Sequence, residues 1–159
     1  MLRETKVRQC MTSPAISVTP NTTLHEAKKI MLEHHIRHLP VVKNQELVGI
    51  LSSGDVRRAS PSDATSLSVW ELNYLWEQIL VESSMTTKVI SVHPDTPVLE
   101  AARLLAWHRF GCLPVVDANK HLQGILTEID ILRLVIQYME NAERPYADTV
   151  DEGWAAPSL

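Results

Sequence analysis

The chain repeats itself, and this constrains its fold more than any other property. Shifted by 74 residues, Met11-Thr12 falls on Met85-Thr86, Ile16-Ser17-Val18 on Ile90-Ser91-Val92, Pro20 on Pro94, Thr22 on Thr96 and Glu26-Ala27 on Glu100-Ala101. Leu39-Pro40-Val41-Val42 falls on Leu113-Pro114-Val115-Val116. Past one extra residue in the second copy, Gly49-Ile50-Leu51 meets Gly124-Ile125-Leu126, Asp55 meets Asp130 and Arg58 meets Arg133. A unit of about 50 to 60 residues buries only about 60% of its unfolded-chain surface and is marginal alone. The two copies are therefore expected to pack on each other.

Within each copy the periodicity switches in a fixed order. Ala15–Thr19 and Val89–His93 are short, β-branched and followed by proline, as a first strand would be. A helix follows. Thr96 is the expected N-cap, with Pro97 at the first helical position, and Val98, Ala101, Ala102 and Leu105 recur at helical spacing. Leu24, Ala27, Ile30 and Met31 do the same in the first copy. Two apolar runs separated by polar turn residues, Leu39–Val42 with Leu47–Leu51 and Leu113–Val116 with Leu122–Leu126, read as strands. Second helices start near Ser53 and Glu128. The unit is β-α-β-β-α, which makes the fold class α+β.

The expected divisions are a first repeat at 7–60, a linker with a helix at 61–83, a second repeat at 84–136 and an acidic tail at 137–159. In the linker, Ser60–Ser66 is rich in turn formers, and Ser68 with Glu71 forms a capping-box pattern. Val69, Leu72, Trp76 and Ile79 then share one face, which suggests a helix docked on the body or on a second chain. Beyond about Tyr138 periodicity fades, and Tyr146 and Trp154 are the residues that could order the tail locally.

Charge and composition exclude several classes. Residues 1–60 carry nine Lys/Arg against five Asp/Glu, residues 61–136 five against nine, and residues 137–159 one against five. The net charge of −4 thus belongs to the tail, and the first copy is basic. Apolar runs are far shorter than the roughly 20 residues a membrane helix needs. No apolar segment follows Met1-Leu2-Arg3, so a cytoplasmic protein without a secretory signal is expected. Cys10 and Cys112 lack metal-ligand spacing and read as packing residues.

The end of the third strand carries the chemistry. Gly49-Ile50-Leu51-Ser52-Ser53-Gly54-Asp55 and Gly124-Ile125-Leu126-Thr127-Glu128-Ile129-Asp130 each place a hydroxyl at the strand end and a carboxylate in the first helical turn. Free amides there would favour a phosphate beside Ser52 or Thr127. Asp55 or Asp130 could accept both hydrogen bonds of a ribose diol. The same spacing is also that of a capping box, which needs no ligand.

The repeated unit, the Met-Thr before strand one, the Leu-Pro-Val-Val run and the Gly-hydrophobic-hydrophobic-Ser/Thr-x-x-Asp ending resemble a pair of CBS domains, the module named after cystathionine β-synthase. The resemblance covers roughly residues 7–136. It implies one pseudo-twofold body with two clefts between the copies, association into a disc-like homodimer, and a regulatory role without catalytic residues. Its implied ligands are adenosine compounds, either AMP, ADP, ATP or S-adenosylmethionine, held as regulatory ligands and not as a required cofactor. The family's ribose position falls on Asp55 and Asp130, and its phosphate-side hydroxyl on Ser52 and Thr127. The segment that lies against the base falls on Thr12, Ser13, Pro14 and Ala15, and on Thr86, Thr87, Lys88 and Val89. Ahead of Leu-Pro stand His38 and Cys112, a difference that should give the two clefts different preferences. Arg58 and Arg133 are candidate phosphate partners. The alternative is a structural or dimerisation module with no nucleotide.

Other chemistries find less support. His34, His35 and His38 cluster, but no acid or thiol completes a tetrahedral set and the second copy keeps only His108, so no metal is expected. No histidine activates Ser52 or Thr127 as a nucleophile and there is no Walker-type loop. Lys28-Lys29 and Arg57-Arg58 lack the interleaved aromatics of a nucleic-acid surface. The expected partners are a small adenosine-type molecule, a second copy and an unidentified protein target, with no membrane.

Overall fold

The computed structural model describes residues 4–60 and 68–143. The turn-rich stretch 61–67 and the tail from 144, with Tyr146 and Trp154, lie outside the described residues. Each repeat contributes a helix, a hairpin and a second helix. The first has α1 (Leu24–Glu33), β1 (His38–Lys43), β2 (Glu46–Ser52) and α2 (Ser53–Ala59). After α3 (Val69–Gln78), the second has α4 (Val98–His108), β3 (Cys112–Val116), β4 (Leu122–Thr127) and α5 (Glu128–Glu143). Both hairpins are antiparallel with a bulge at the same place, between Val41 and Val42 and between Val115 and Val116.

The expected first strands shrink to single residues. Val18 pairs in parallel with Val41 and Val92 with Val115, each an isolated bridge. Proline sets this limit. Val18 N–H donates to Pro40 O and accepts at its carbonyl from Val42 N–H, at 3.0 and 2.8 Å. The next bond upstream would need an N–H on Pro40, and the next downstream one on Pro20; neither has one. Pro114 and Pro94 impose the same limit on Val92.

Three further expectations are corrected. Thr96 is not the N-cap of α4: Pro97 holds that position without a side-chain cap, and Thr96 Oγ1 accepts from His93 N–H at 3.0 Å, closing the preceding turn. Thr23 is a true N-cap in the first repeat, accepting from Glu26 N–H at 3.1 Å. Helicity also outlasts Tyr138, because α5 continues to Glu143 with no proline or glycine to stop it. The linker helix forms as expected, with its Ser68/Glu71 capping box, and buries Trp76 against the first repeat. Lys28 of α1 lies 5.3 Å over the Trp76 ring. Val69, expected on the same buried face, is exposed.

The core is double, and each half is completed by the other repeat. Leu24, Ala27, Met31, Leu39, Val41, Leu51 and Val56 of the first repeat pack with Val81, which precedes the second. Ala101, Leu105, Leu113, Val115 and Leu126 of the second repeat pack with Val7, which opens the first. Val7 and Val81 both have 0% exposure. Each lies in a short 3-10 turn, Val7–Gln9 or Val81–Ser83. Matched backbone bonds hold the exchange: Val7 N–H to Thr96 O and Val98 N–H to Thr5 O on one side, and Val81 N–H to Thr22 O and Leu24 N–H to Ile79 O on the other.

Burying a valine side chain contributes roughly 1.5–3 kcal/mol. Val7→Ala and Val81→Ala are therefore each expected to lower stability by about 1.5–3 kcal/mol in urea unfolding, with a single transition in either variant. A second transition confined to one repeat would show that the halves fold independently.

Candidate functional site

The pairing that closes the exchange also builds the site. Thr86 bridges Ile50 of β2, with both backbone bonds at 2.9 and 3.0 Å, and Thr12 bridges Ile125 of β4 at 2.9 and 3.0 Å. The Met-Thr of each repeat thus lies on the third strand of the other. Close approach requires glycine there. A Cβ on Gly49 would come within 2.6 Å of Met85 Sδ and 3.1 Å of Thr86 O, and one on Gly124 within 2.7 Å of Thr12 O and 3.0 Å of Met11 Sδ. The Met-Thr and Gly-Ile-Leu signatures are two sides of one contact.

Beside the Thr86 bridge a cleft of about 240 Å³ opens between the repeats. The first repeat lines it with His38, Ile50, Ser52 and Asp55, and the second with Thr86, Lys88, Val89, Ile90, Arg109, Phe110, Gly111, Cys112 and Pro114. Of the residues singled out in the sequence, His38, Ser52, Asp55, Thr86, Lys88, Val89 and Cys112 meet here. Thr87 and Arg58 are not among the lining residues; Arg58 instead forms an ion pair with Asp55. The remaining candidates gather at the other inter-repeat contact. Thr12 is on Ile125, Ser13 Oγ donates to Gln123 O at 2.7 Å, and Arg133 lies 3.9 Å from Asp130. Pro14 and Ala15 follow on the same segment.

Both strand ends are capping boxes. Asp55 Oδ2 accepts from Ser52 N–H at 2.8 Å and Ser52 Oγ–H at 2.6 Å, and Asp55 N–H donates back to Ser52 Oγ at 3.1 Å. Thr127 and Asp130 repeat this at 2.8, 2.7 and 3.4 Å. Ser53 N–H reaches Arg37 O at 2.9 Å and Glu128 N–H reaches Gly111 O at 3.3 Å. Four of the amides expected to be free at these helix starts, those of Ser53, Asp55, Glu128 and Asp130, are thus engaged. Each carboxylate still has Oδ1 directed away from the cap, toward Arg58 or Arg133.

His38 and Cys112 head their hairpins at matched positions, across from Ser52 and Thr127. A Cβ on Gly111 would stand 2.6 Å from His38 Cε1, so the absence of a side chain there is what admits the imidazole across the repeat boundary. Burial, and then the Arg37 charge, lower the His38 pKa below that of a free imidazole, leaving the ring neutral near pH 7. Burial pushes the Cys112 thiol up to about 12, so it packs as a protonated thiol. Burial and then the Asp130 carboxylate raise Cys10 as well.

Arg109, Phe110 and Gly111 escaped the sequence reading. They sit in the turn between α4 and β3, with Arg109 the helix C-cap at φ 56° and Phe110 stacked on His108 at 5.0 Å. His35, the counterpart of Arg109, has the same left-handed backbone at φ 53°. That shared turn is the signal that could have drawn attention to the segment. His34, the matched partner of His108, is the C-cap residue of α1. No group of three or more potential metal ligands occurs among the described residues. No described helix is long and apolar enough to cross a membrane.

Two repeats of β-strand remnant, helix, hairpin and helix, locked by exchanged leaders beside an inter-repeat cleft, define a tandem-repeat α+β architecture. The family model of the CBS domain matches residues 7–62 and 77–137, and the chain belongs to the CBS-domain family. The CBS domain pair of protein MJ0100, solved in complex with 5′-methylthioadenosine and S-adenosyl-L-methionine, is similar with a TM-score of 0.70 and 32% identity. That similarity covers 84% of this chain and 98% of that one. CBSX2 of Arabidopsis thaliana, solved in complex with AMP, is similar with a TM-score of 0.71 and 31% identity, over 83% of this chain and 97% of that one. The L-aspartate semialdehyde sulfurtransferase of Methanocaldococcus jannaschii is 33% identical over 131 residues, 82% of this chain and 23% of that protein. The chain spans about a quarter of the length of such curated relatives.

The lowered His38 pKa has a definite sign. Neutral imidazole is favoured in the folded state, so its contribution is complete above the unfolded value near 6.5 and is lost as pH falls through the lower folded value. His38→Gln is therefore expected to lose less stability than the parent between pH 7.5 and 5 in urea melts. Equal losses would place His38 titration outside the stability balance.

Proposed function

We propose that this chain is a regulatory module that binds an adenosine-containing ligand, AMP, ADP, ATP or S-adenosylmethionine, in the clefts between its repeats. The observation that carries this reading is the composite cleft, lined by Ser52 and Asp55 of one repeat, by Thr86, Lys88 and Val89 of the other, and by the apolar Ile50, Ile90 and Phe110. A flat base suits those apolar side chains. The ribose diol suits the Asp55 Oδ1 that the capping box leaves over, and would displace Arg58 from it. The complexes of MJ0100 and CBSX2 with adenosine compounds support the same class of ligand. A ligand that touches both repeats favours whichever arrangement brings them together, and that differential affinity is the signal. The role is regulatory, with no residue assigned to catalysis; the enzymes among the relatives match over only about a quarter of their length.

The same proposal includes a disc-like homodimer. Ile129, Leu132, Ile136 and Met139 form an exposed apolar row along one side of α5, a pattern that water does not favour on a long helix. A second copy would cover the row with its own. Ile136→Glu is expected to shift the sedimentation of the chain to that of a monomer.

An adenosine monophosphate has about 23 heavy atoms, and about 0.3 kcal/mol per atom gives roughly −7 kcal/mol, a Kd on the order of 10 μM. Calorimetry with AMP, ADP, ATP, S-adenosylmethionine and 5′-methylthioadenosine is expected to find at least one ligand in that range. Asp55→Asn and Asp130→Asn, which keep an acceptor for the cap, should each weaken one site at least tenfold. Both capping boxes are complete without a ligand, which favours a second reading, a structural or dimerisation module. Absence of heat and of any melting shift with all five compounds would establish that one instead.

A further inference from the structure

The two inter-repeat contacts, beside Asp55 and beside Asp130, are related by the repeat but are not chemically equivalent. Lys88, at the Asp55 cleft, has Pro14 as its counterpart 74 residues earlier; Arg109 has His35, and Gly111 has Arg37. These exchanges give the Asp55 side two cations, Lys88 and Arg109, where the counterpart positions hold one, Arg37. We propose that the Asp55 cleft is the phosphate-selective site of the pair, and that Lys88 and Arg109 set its preference for phosphorylated adenosine ligands over phosphate-free ones. This rests on the adenosine-binding reading above.

Three observations converge on it. Two first-turn amides of α2 that might have held a phosphate are engaged: Ser53 N–H by Arg37 O and Asp55 N–H by Ser52 Oγ. That shifts the weight of anion selectivity onto side chains. Lys88 and Arg109 are both exposed and have no ion pair among the described residues, so their charges are available at the cleft. Arg58 and Arg133 pair with Asp55 and Asp130 at matched positions, so the difference in charge between the two sides lies with Lys88 and Arg109. His38 adds no charge at neutral pH, since burial keeps it neutral. The remaining cations, Lys88 and Arg109, come from the second repeat, while the ribose-side Asp55 comes from the first. The phosphate of a phosphorylated ligand would add a charged contact to the second repeat that a phosphate-free one lacks.

The test is calorimetry on the full chain with ADP and 5′-methylthioadenosine, read as the ratio of their affinities. A Lys88→Met/Arg109→Asn double variant, whose asparagine tolerates the left-handed backbone at that position, is expected to lower the ADP-to-methylthioadenosine ratio at least tenfold. Lys29→Met, far from the cleft on α1, should leave the ratio where it is. Melting of each variant checks that it folds, and Lys88→Met alone, expected to lower the ratio severalfold, serves if the double variant does not. Asp55→Asn should remove the ADP-selective heat and Asp130→Asn should not. An unchanged ratio with methylthioadenosine still bound would overturn this assignment alone, as would loss of ADP binding through Asp130→Asn only. Binding of neither compound by the parent chain would overturn it together with the adenosine reading.

Discussion

The exchange of two valines governs this structure. Val7 fills the core of the repeat it does not introduce, and Val81 does the same in return. Either repeat without its partner's leader would open a hole at the centre of a core that is already small. The exchange therefore does for the pair what a larger core does for an ordinary domain, and it fixes the relative position of the hairpins. Everything at the site follows from that position.

Once the leaders cross, the residues just after them must lie on the opposite hairpin, and there is no room for a side chain beneath. Gly49 and Gly124 supply that room, so Thr86 and Thr12 can bond to Ile50 and Ile125. The cleft is the space left beside this bridge. Its walls come from different repeats because the bridge joins different repeats. The candidate ligand contacts are thus a product of the same packing that holds the body together, and a small movement of one hairpin changes stability and cleft shape at once.

Much of this was legible in the sequence because it is written twice. The helices, both hairpins and the strand-end Ser/Thr-x-x-Asp boxes were all recoverable from local periodicity, and seven of the candidate residues do meet at one cleft. What local patterns could not show was partnership. Ala15–Thr19 has the composition of a strand, but its ladder depends on the N–H groups of a distant run, and Pro40 has none. The threonine at Thr96 looked like a helix cap because its spacing allows it, while its hydroxyl closes the turn before. Arg109 and Gly111 carry no motif; their place at the cleft depends on how the repeats cross. At the helix starts the capping box is complete, with Asp55 and Asp130 accepting from Ser52 and Thr127 and other amides taken by Arg37 O and Gly111 O, which spacing alone left as an open alternative.

Prolines that stop a ladder also leave something behind. Beyond the single bond pair at Val92, the backbone of residues 88–90 makes no hydrogen bond within the described residues, and Lys88, Val89 and Ile90 line the cleft. Unclaimed amides and carbonyls on a strand edge are ordinarily a sticky margin that invites other chains. Here they lie at the edge of the inter-repeat cleft, on the segment that carries Lys88, Val89 and Ile90. The truncated strand is thus a stretch of backbone whose polar groups the sheet leaves unclaimed beside the cleft.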